Sequence, residues 1–343
     1  MNIRPGAWRR WSIASGVIAA LLVTVTLSAK EPVNVQAARR AFDDAYRQED
    51  YQRAMDIGLD LVEMVPGSVE QYNLACVFAL AGETGSALHW LERAAQSGFH
   101  NLSYLESDPD LDSVRDLSGY GRVVDIVAKN LLRHRRLAIR KAASNPPLIV
   151  EPDTKKNEGP RPLIIALHGY GDRAAHYPDV WGPAAGEIGA ILAVPHGTKR
   201  VGEGRGWGDL EETDAVVQLT LDYVGKRFEV DPERVVLTGF SQGGFMAMAV
   251  GARHPNLFVG VIPMAGGYIP DVDAPAPASD GDPRYYFIVG SRDRVADQVR
   301  RAASDFEAAG FEVDLRVLKG TGNTFPRLTT VELRRALHFV LGE

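Results

Sequence analysis

Ser241 stands in the stretch Gly239-Phe240-Ser241-Gln242-Gly243-Gly244, directly after the apolar run Val235–Thr238 and before a run of helical character. A serine hydroxyl attacks a carbonyl carbon effectively only when it stands clear of the chain and when donors meet the oxyanion that forms. A GxSxG turn offers both. Its glycines leave room for a sharp strand-to-helix bend that pushes the serine outward, and the free N–H groups at the helix start face the developing charge. The same spacing also occurs by chance in glycine-rich strand–helix turns. Here the strand before it and the helix after it favour the nucleophile. A second loop, Leu167-His168-Gly169-Tyr170-Gly171-Asp172, closes the first strong apolar strand. The Tyr170 and Gln242 N–H groups are the expected oxyanion-hole donors, and His168 is expected to orient the loop rather than to act as a base.

These loops need a scaffold, and the second half of the chain supplies its pattern. Short apolar runs predict strands at Leu163–Leu167, Ile191–Val194, Val235–Thr238, Phe258–Met264, Tyr285–Val289 and Val313–Val317. Helical runs are predicted near 211–227, 242–253, 295–309 and 328–341. Strand–helix alternation with continuous apolar strands predicts a doubly wound, mostly parallel sheet covered on both faces. The loop holding Pro275, Pro277, Ser279, Gly281 and Pro283 falls at the expected ligand-facing edge.

In combination, LHGYGD, GFSQGG, the strand end Pro263-Met264-Ala265-Gly266-Gly267 and the later VGSRD resemble the phospholipase/carboxylesterase branch of the α/β-hydrolases. Acyl-protein thioesterases and feruloyl-type esterases share this layout. The resemblance covers about residues 160–343. It implies an α/β-hydrolase fold, no cofactor or metal, a small ester or acylated substrate, Ser241 as nucleophile and Asp293 of Gly290-Ser291-Arg292-Asp293 as triad acid. It also implies a histidine in a Gly-x-Gly-His-x-Phe-Pro stretch. This sequence reads Gly320-Thr321-Gly322-Asn323-Thr324-Phe325-Pro326, so the frame is kept and Asn323 stands at the base position. A carboxamide has no basic nitrogen near neutral pH and cannot accept the serine proton. Losing such a histidine costs on the order of 10⁶ in rate where it has been measured.

Eight histidines exist in the chain. His176 and His196 fall on the expected active-site edge, and His338 follows the acid in sequence, so these three are the candidate substitute bases. His254 closes the helix after the serine turn, where a cation stabilises the helix end. His89, His100 and His134 belong to the N-terminal half.

That half is helical in pattern. Ala54 and Ala87 are 33 residues apart, as are Leu61 and Ala94, and Gly82 divides a pair of helices. Small residues at such offsets let helices approach closely. The pattern is similar to tetratricopeptide repeats, with a period of about 34 residues. Two units are covered, and a third segment, with Asp108-Pro109-Asp110-Leu111 as its cap before Val114 to Leu132, is expected to close the array. The resemblance implies a protein or peptide partner. Cys76 lies in an apolar helical run and reads as a small core residue. A basic cluster of Arg133, Arg135, Arg136, Arg140 and Lys141 reads as a solvated helix end or, alternatively, as a site for an anionic membrane surface or partner. Pro146-Pro147, Pro152 and Gly159-Pro160 mark a linker with one edge strand at Leu148–Val150.

The chain begins with Arg4, Arg9 and Arg10, the uncharged apolar run Trp11–Leu27 and then small and polar residues. This is the layout of a secretory signal, with an N-terminal membrane anchor as the alternative. Either places the remainder outside the cytoplasm. The expected organisation is therefore residues 1–29 as signal or anchor, 34–132 as an all-α helical-repeat domain, 133–159 as linker and 160–343 as hydrolase domain. The composition is 45% hydrophobic and 24% charged, ordinary for folded domains. A net charge of −6 with scattered cations gives no footprint for nucleic acid. Two functions remain open: an exported serine esterase acting through acyl-Ser241 with a displaced or weakened base, and a non-catalytic binding protein that keeps the pocket and recruits a partner through its repeats.

Overall fold

The structure is a computed structural model that describes residues 33–152, 159–268, 275–279, 281–325 and 329–343. The signal or anchor at 1–29, Pro152's neighbours Lys155 and Lys156, and Pro326 lie outside the described residues. The chain divides into two compact units, one ending at His134 and one starting at Arg135.

The first unit is helical: α1 Val33–Arg47, α2 Tyr51–Met64, α3 Ser68–Leu80, α4 Thr84–Gln96, α5 Leu102–Ser107 and the start of α6 Tyr120–Ala143. Side chains cap several starts. The Asp50 carboxylate accepts from Arg53 N at α2 (3.3 Å), and Asn101 Oδ1 accepts from Tyr104 N at α5 (3.1 Å). Gly82 at φ 81° and Gly98 at φ 96° take the left-handed turn that follows α3 and α4. Ala54, Ala87 and Ala94 are buried where helices approach, around a core with Phe42, Leu61, Leu74 and Leu91. Cys76 is fully buried there, and burial pushes its thiol well above the ordinary range. That suits a core residue and disfavours a thiolate nucleophile.

The third helical segment differs from its expected span of Val114–Leu132. It opens at Tyr120, after a turn through Gly119 at φ 118°, and runs on to Ala143. The segment read as a linker from 133 is thus helical through Ala143, because Arg133 to Lys141 are good helix formers and Pro146-Pro147 is the first real stop. It also contributes the edge strand β1 Leu148–Val150.

The second unit carries β2 Arg161–Leu167, β3 Ile191–Val194, the short pair β4 Lys199–Val201 and β5 Gly204–Gly206, β6 Val230–Phe240, β7 Gly260–Met264, β8 Arg284–Gly290 and β9 Val313–Leu318. Its helices are α7 Tyr177–Glu187, α8 Leu210–Gly225, α9 Gln242–Arg253, α10 Ala296–Ala308 and α11 Thr329–Leu341. The main sheet has the order β1-β3-β2-β6-β7-β8-β9, parallel except for the antiparallel edge pair β1–β3. Alternation along β2 feeds both faces. Leu163, Ile165 and Leu167 join one core with Val216, Met246 and Phe306, while Ile164 and Ala166 join the other with Trp181, Leu333 and Leu337. This is the doubly wound α/β-hydrolase architecture, joined to an N-terminal all-α unit.

Two elements had no clear signal in the sequence. Helix α7 contains Pro178, Gly182, Pro183 and Gly186, which read as breakers. Pro178 falls in the first turn, where its missing N–H costs little, and burial of Tyr177, Trp181, Ala184 and Ala185 holds the rest. The β4–β5 hairpin turns at Gly202, φ 55°.

Candidate active site

Parallel strands that all point one way deliver their following loops to a single edge, and that edge collects the candidate residues. β6 ends at Phe240 and α9 begins at Gln242, leaving Ser241 as the helix N-cap at φ 53°, ψ −118°. A non-glycine residue there carries backbone strain on the order of 1–3 kcal/mol, which surrounding contacts must hold. Ser241 N donates to Met264 O at 2.8 Å, and Ser241 O accepts from Phe245 N at 3.0 Å. The turn packs directly on the end of β2: a Cβ added at Gly243 would lie 2.2 Å from Leu167 O. No residue but glycine fits that approach without moving backbone.

The side chains of Tyr170 and Gln242, the residues whose N–H groups are the expected oxyanion donors, meet around Gly206. A Cβ placed on Gly206 would lie 3.0 Å from the Tyr170 ring and 3.2 Å from Gln242 Oε1. One built on Gly169 would lie 3.7 Å from Ser241 Cβ, so the two loops are immediate neighbours. Gln242 is pinned through its side chain, Oε1 accepting from Trp207 N (3.0 Å) and Nε2 donating to Trp207 O (3.2 Å). Trp207 Nε1 in turn donates to His168 O at 2.6 Å. The hairpin binds the other loop, with Gly171 N donating to Arg205 O and Arg205 N to Asp172 O, both at 2.9 Å. Sequence reading named Tyr170 and Gln242 but missed Trp207 and the hairpin that brace them. The Gly202-Glu203-Gly204 turn was the one available signal.

His168 is a brace as well. Gly197 N–H donates to its Nε2 (2.9 Å), so the proton sits on Nδ1 and is donated to Gly169 O (2.8 Å). Burial holds its pKa below the ordinary imidazole value, and the Gly169 bond opposes this only in part.

On the other side, Asp293 is buried after β8. Its Oδ1 accepts from Val295 N (3.1 Å) and its Oδ2 from Asn323 Nδ2 (2.9 Å). An ionised carboxylate only accepts, so the amide must turn its NH2 toward Asp293. Asn323 thus makes the bond that a triad imidazole would make through Nδ1, and it offers nothing basic to Ser241. The loop carrying it is firmly seated. Arg292 N donates to Thr321 O (2.8 Å), Gly320 N to Ser291 Oγ (2.9 Å), and the Phe325 ring stacks on Phe240 at 4.4 Å.

No candidate substitute base meets Asp293. His176 is exposed, with Nδ1 2.6 Å from Asp172 Oδ1. His196 is half-buried beside a cavity of about 250 Å³ lined also by Pro146, Pro195 and Tyr223, and burial and then Arg205 hold its pKa low. His338 is on α11 with Nδ1 3.7 Å from Glu343. His254 Nε2 lies 2.8 Å from Asp214 Oδ1. Among the described residues, Cys76, Asp108 and Asp110 in the helical unit hold possible metal-ligand atoms within 4.8 Å of one another. Tyr72 and Tyr46 hydroxyls already donate to Asp108 and Asp110 there, at 2.8 and 2.6 Å.

The prolyl oligopeptidase family matches residues 190–270, the span from β3 past the serine turn. A protein of Nocardia uniformis subsp. tsuyamanensis named as an esterase, NocK, is 32% identical over 170 residues, 44% of this chain and 46% of its own length. Poly(3-hydroxyalkanoate) depolymerase C of Paucimonas lemoignei is 30% identical over 115 residues, 31% of this chain and 28% of its own. The chain thus spans less than half the length of these curated relatives. The crystal structure of a carboxylesterase from Mesorhizobium loti superposes with a TM-score of 0.45 at 21% identity, over 51% of this chain and 87% of that one. The second unit has an α/β-hydrolase fold. Its sheet order and serine turn carry that assignment, and its sequence relatives include proteins named as an esterase and as depolymerases.

Proposed function

We propose that this chain is an exported serine hydrolase that cleaves carboxylic esters or thioesters through an acyl-Ser241 intermediate, slowly, because Asn323 fills the base position. The observation that carries the reading is Ser241 in its strained turn at the start of α9, with the Gly169 backbone of the neighbouring loop packed against it. In the reaction, Ser241 Oγ attacks the carbonyl carbon as its proton leaves to solvent at the exposed Asn323 side. The Tyr170 and Gln242 N–H groups hold the oxyanion, the leaving alkoxide or thiolate takes a proton from water, and water then cleaves the acyl-serine. The names of the esterase and depolymerase relatives support the ester class. The Arg4/Arg9/Arg10 flank before Trp11–Leu27 supports export. The 33-residue spacing, with Ala54 and Ala87 both fully buried, supports tetratricopeptide-like repeats that recruit a peptide.

The hydrogen bond between Asn323 and Asp293 favours a second reading, a binding protein in which the pocket retains an ester or acyl group without turnover. Release of p-nitrophenolate from a p-nitrophenyl ester series, compared with Ser241→Ala, separates the two. The esterase reading expects a stoichiometric burst followed by slow turnover, both lost in Ser241→Ala. An equal rate in the variant would sink it.

A further inference from the structure

The helix α6 shows solvent a face that neither the sheet core nor the ester chemistry uses. At 3.6 residues per turn, Ile139, Leu132, Arg136, Arg140, Arg133 and Leu137 follow one another around less than half of its circumference. All six are exposed, Leu132 at 56%, Leu137 at 47% and Ile139 at 41%. Single exposed leucines are ordinary. Here three of the eight most exposed large apolar side chains among the described residues crowd into eight positions of one helix.

Arg133, Arg136 and Arg140 have no ion pair among the described residues, whereas Arg135, on another side of the helix, reaches Asp214 at 3.5 Å and Glu211 at 3.9 Å. No acidic residue occurs between Ile126 and Ala143, in a chain whose net charge is −6. Guanidinium groups interleaved with leucine and isoleucine match a surface that is anionic at the top and apolar just beneath. An acidic surface with no apolar layer would meet the charge and leave Leu132, Leu137 and Ile139 in water.

We propose that this face docks on an anionic phospholipid bilayer. Leu132, Leu137 and Ile139 enter the acyl boundary while the three arginines hold lipid phosphates. The docking is reversible and independent of whether Trp11–Leu27 is retained.

A local probe tests this on the full chain. Cys76, the only cysteine, is fully buried, so Leu137→Cys introduces one accessible thiol for an environment-sensitive fluorophore. The label should shift to the blue on vesicles containing phosphatidylglycerol, not on phosphatidylcholine alone, and about 0.5 M NaCl should reverse it. Adding Arg133→Gln, Arg136→Gln and Arg140→Gln should weaken the partition on the order of 100-fold, with the melting curve unchanged. No shift on anionic vesicles, an equal shift on both lipids, or a shift that survives the triple substitution would each overturn the proposal. So would a shift seen only with an acidic protein.

Discussion

On the nucleophile side of the site, Ser241 is held by backbone: two main-chain bonds, a glycine pressed on Leu167 O, and a brace running from Gln242 through Trp207 to His168. On the base side, Asn323 is held with similar firmness, by Asp293, by two bonds between its loop and residues 291–292, and by Phe325 on Phe240. The first side keeps both the frame and the reactive atom. The second keeps the frame and lacks the reactive atom. On the proposed assignment, position and reactivity are therefore separable here: the loop that holds the base position carries an amide.

The largest expected effect restores the missing atom. Asn323→His should place Nδ1–H on Asp293 Oδ2 and turn Nε2 toward Ser241, as a triad requires. Ester turnover should rise at least about 100-fold, a modest part of what general-base catalysis supplies. A folded variant with no gain would show that the two sides are not in register. His176→Ala, His196→Ala and His338→Ala in the parent would then reveal whether another imidazole already serves.

Most of this comparison is legible before any coordinates. Buried parallel strands read as continuous apolar runs, which is why β2, β3 and β8 fall where the sequence predicts them. The departure at Asn323 stands out because Gly322 and Phe325 around it still fit the frame. The bracing is not legible. Gln242 binds Trp207 across 35 residues and Phe325 stacks on Phe240 across 85, and no local pattern encodes such meetings. Helix α7 hides behind its prolines, and α6 outruns its expected end because basic residues that look like a tail are good helix formers.

A smaller effect sharpens the contrast in backbone. Gly243→Ala would drive a methyl against Leu167 O, which is main chain and cannot swing away. Overpacking of this kind costs about 1–3 kcal/mol, a fall of several degrees in Tm for a unit of this size. Gly322→Ala on the base side meets nothing within 4 Å and has no positive φ, so its Tm should stay within about a degree. Thermal melts of the two variants check this, with labelling of Ser241 by a fluorophosphonate as a second readout. Equal losses at both positions would erase the distinction between a side locked by close packing and one locked by hydrogen bonds.

The smallest effect concerns pH, because one side titrates and the other does not. His168 is held neutral by burial, with Nε2 accepting from Gly197 N. Its folded pKa lies below the ordinary 6.5. The neutral brace therefore contributes its full stability above that value. As pH falls below it, the unfolded chain takes up a proton that the folded chain refuses, and the contribution shrinks until the folded pKa is reached. His196 is depressed in the same direction by burial and Arg205 and adds to the slope. The second unit should accordingly lose a few degrees of Tm between about pH 7 and pH 5, and His168→Gln, which keeps a donor and an acceptor but does not titrate, should lower Tm overall while flattening part of that decline. Asn323 has no proton to gain in this range, so turnover per folded molecule should show no imidazole limb in the parent, and one should appear near pH 6–7 in Asn323→His. A parent whose turnover already falls along such a limb at constant folded fraction would place a working histidine on the base side and end the asymmetry.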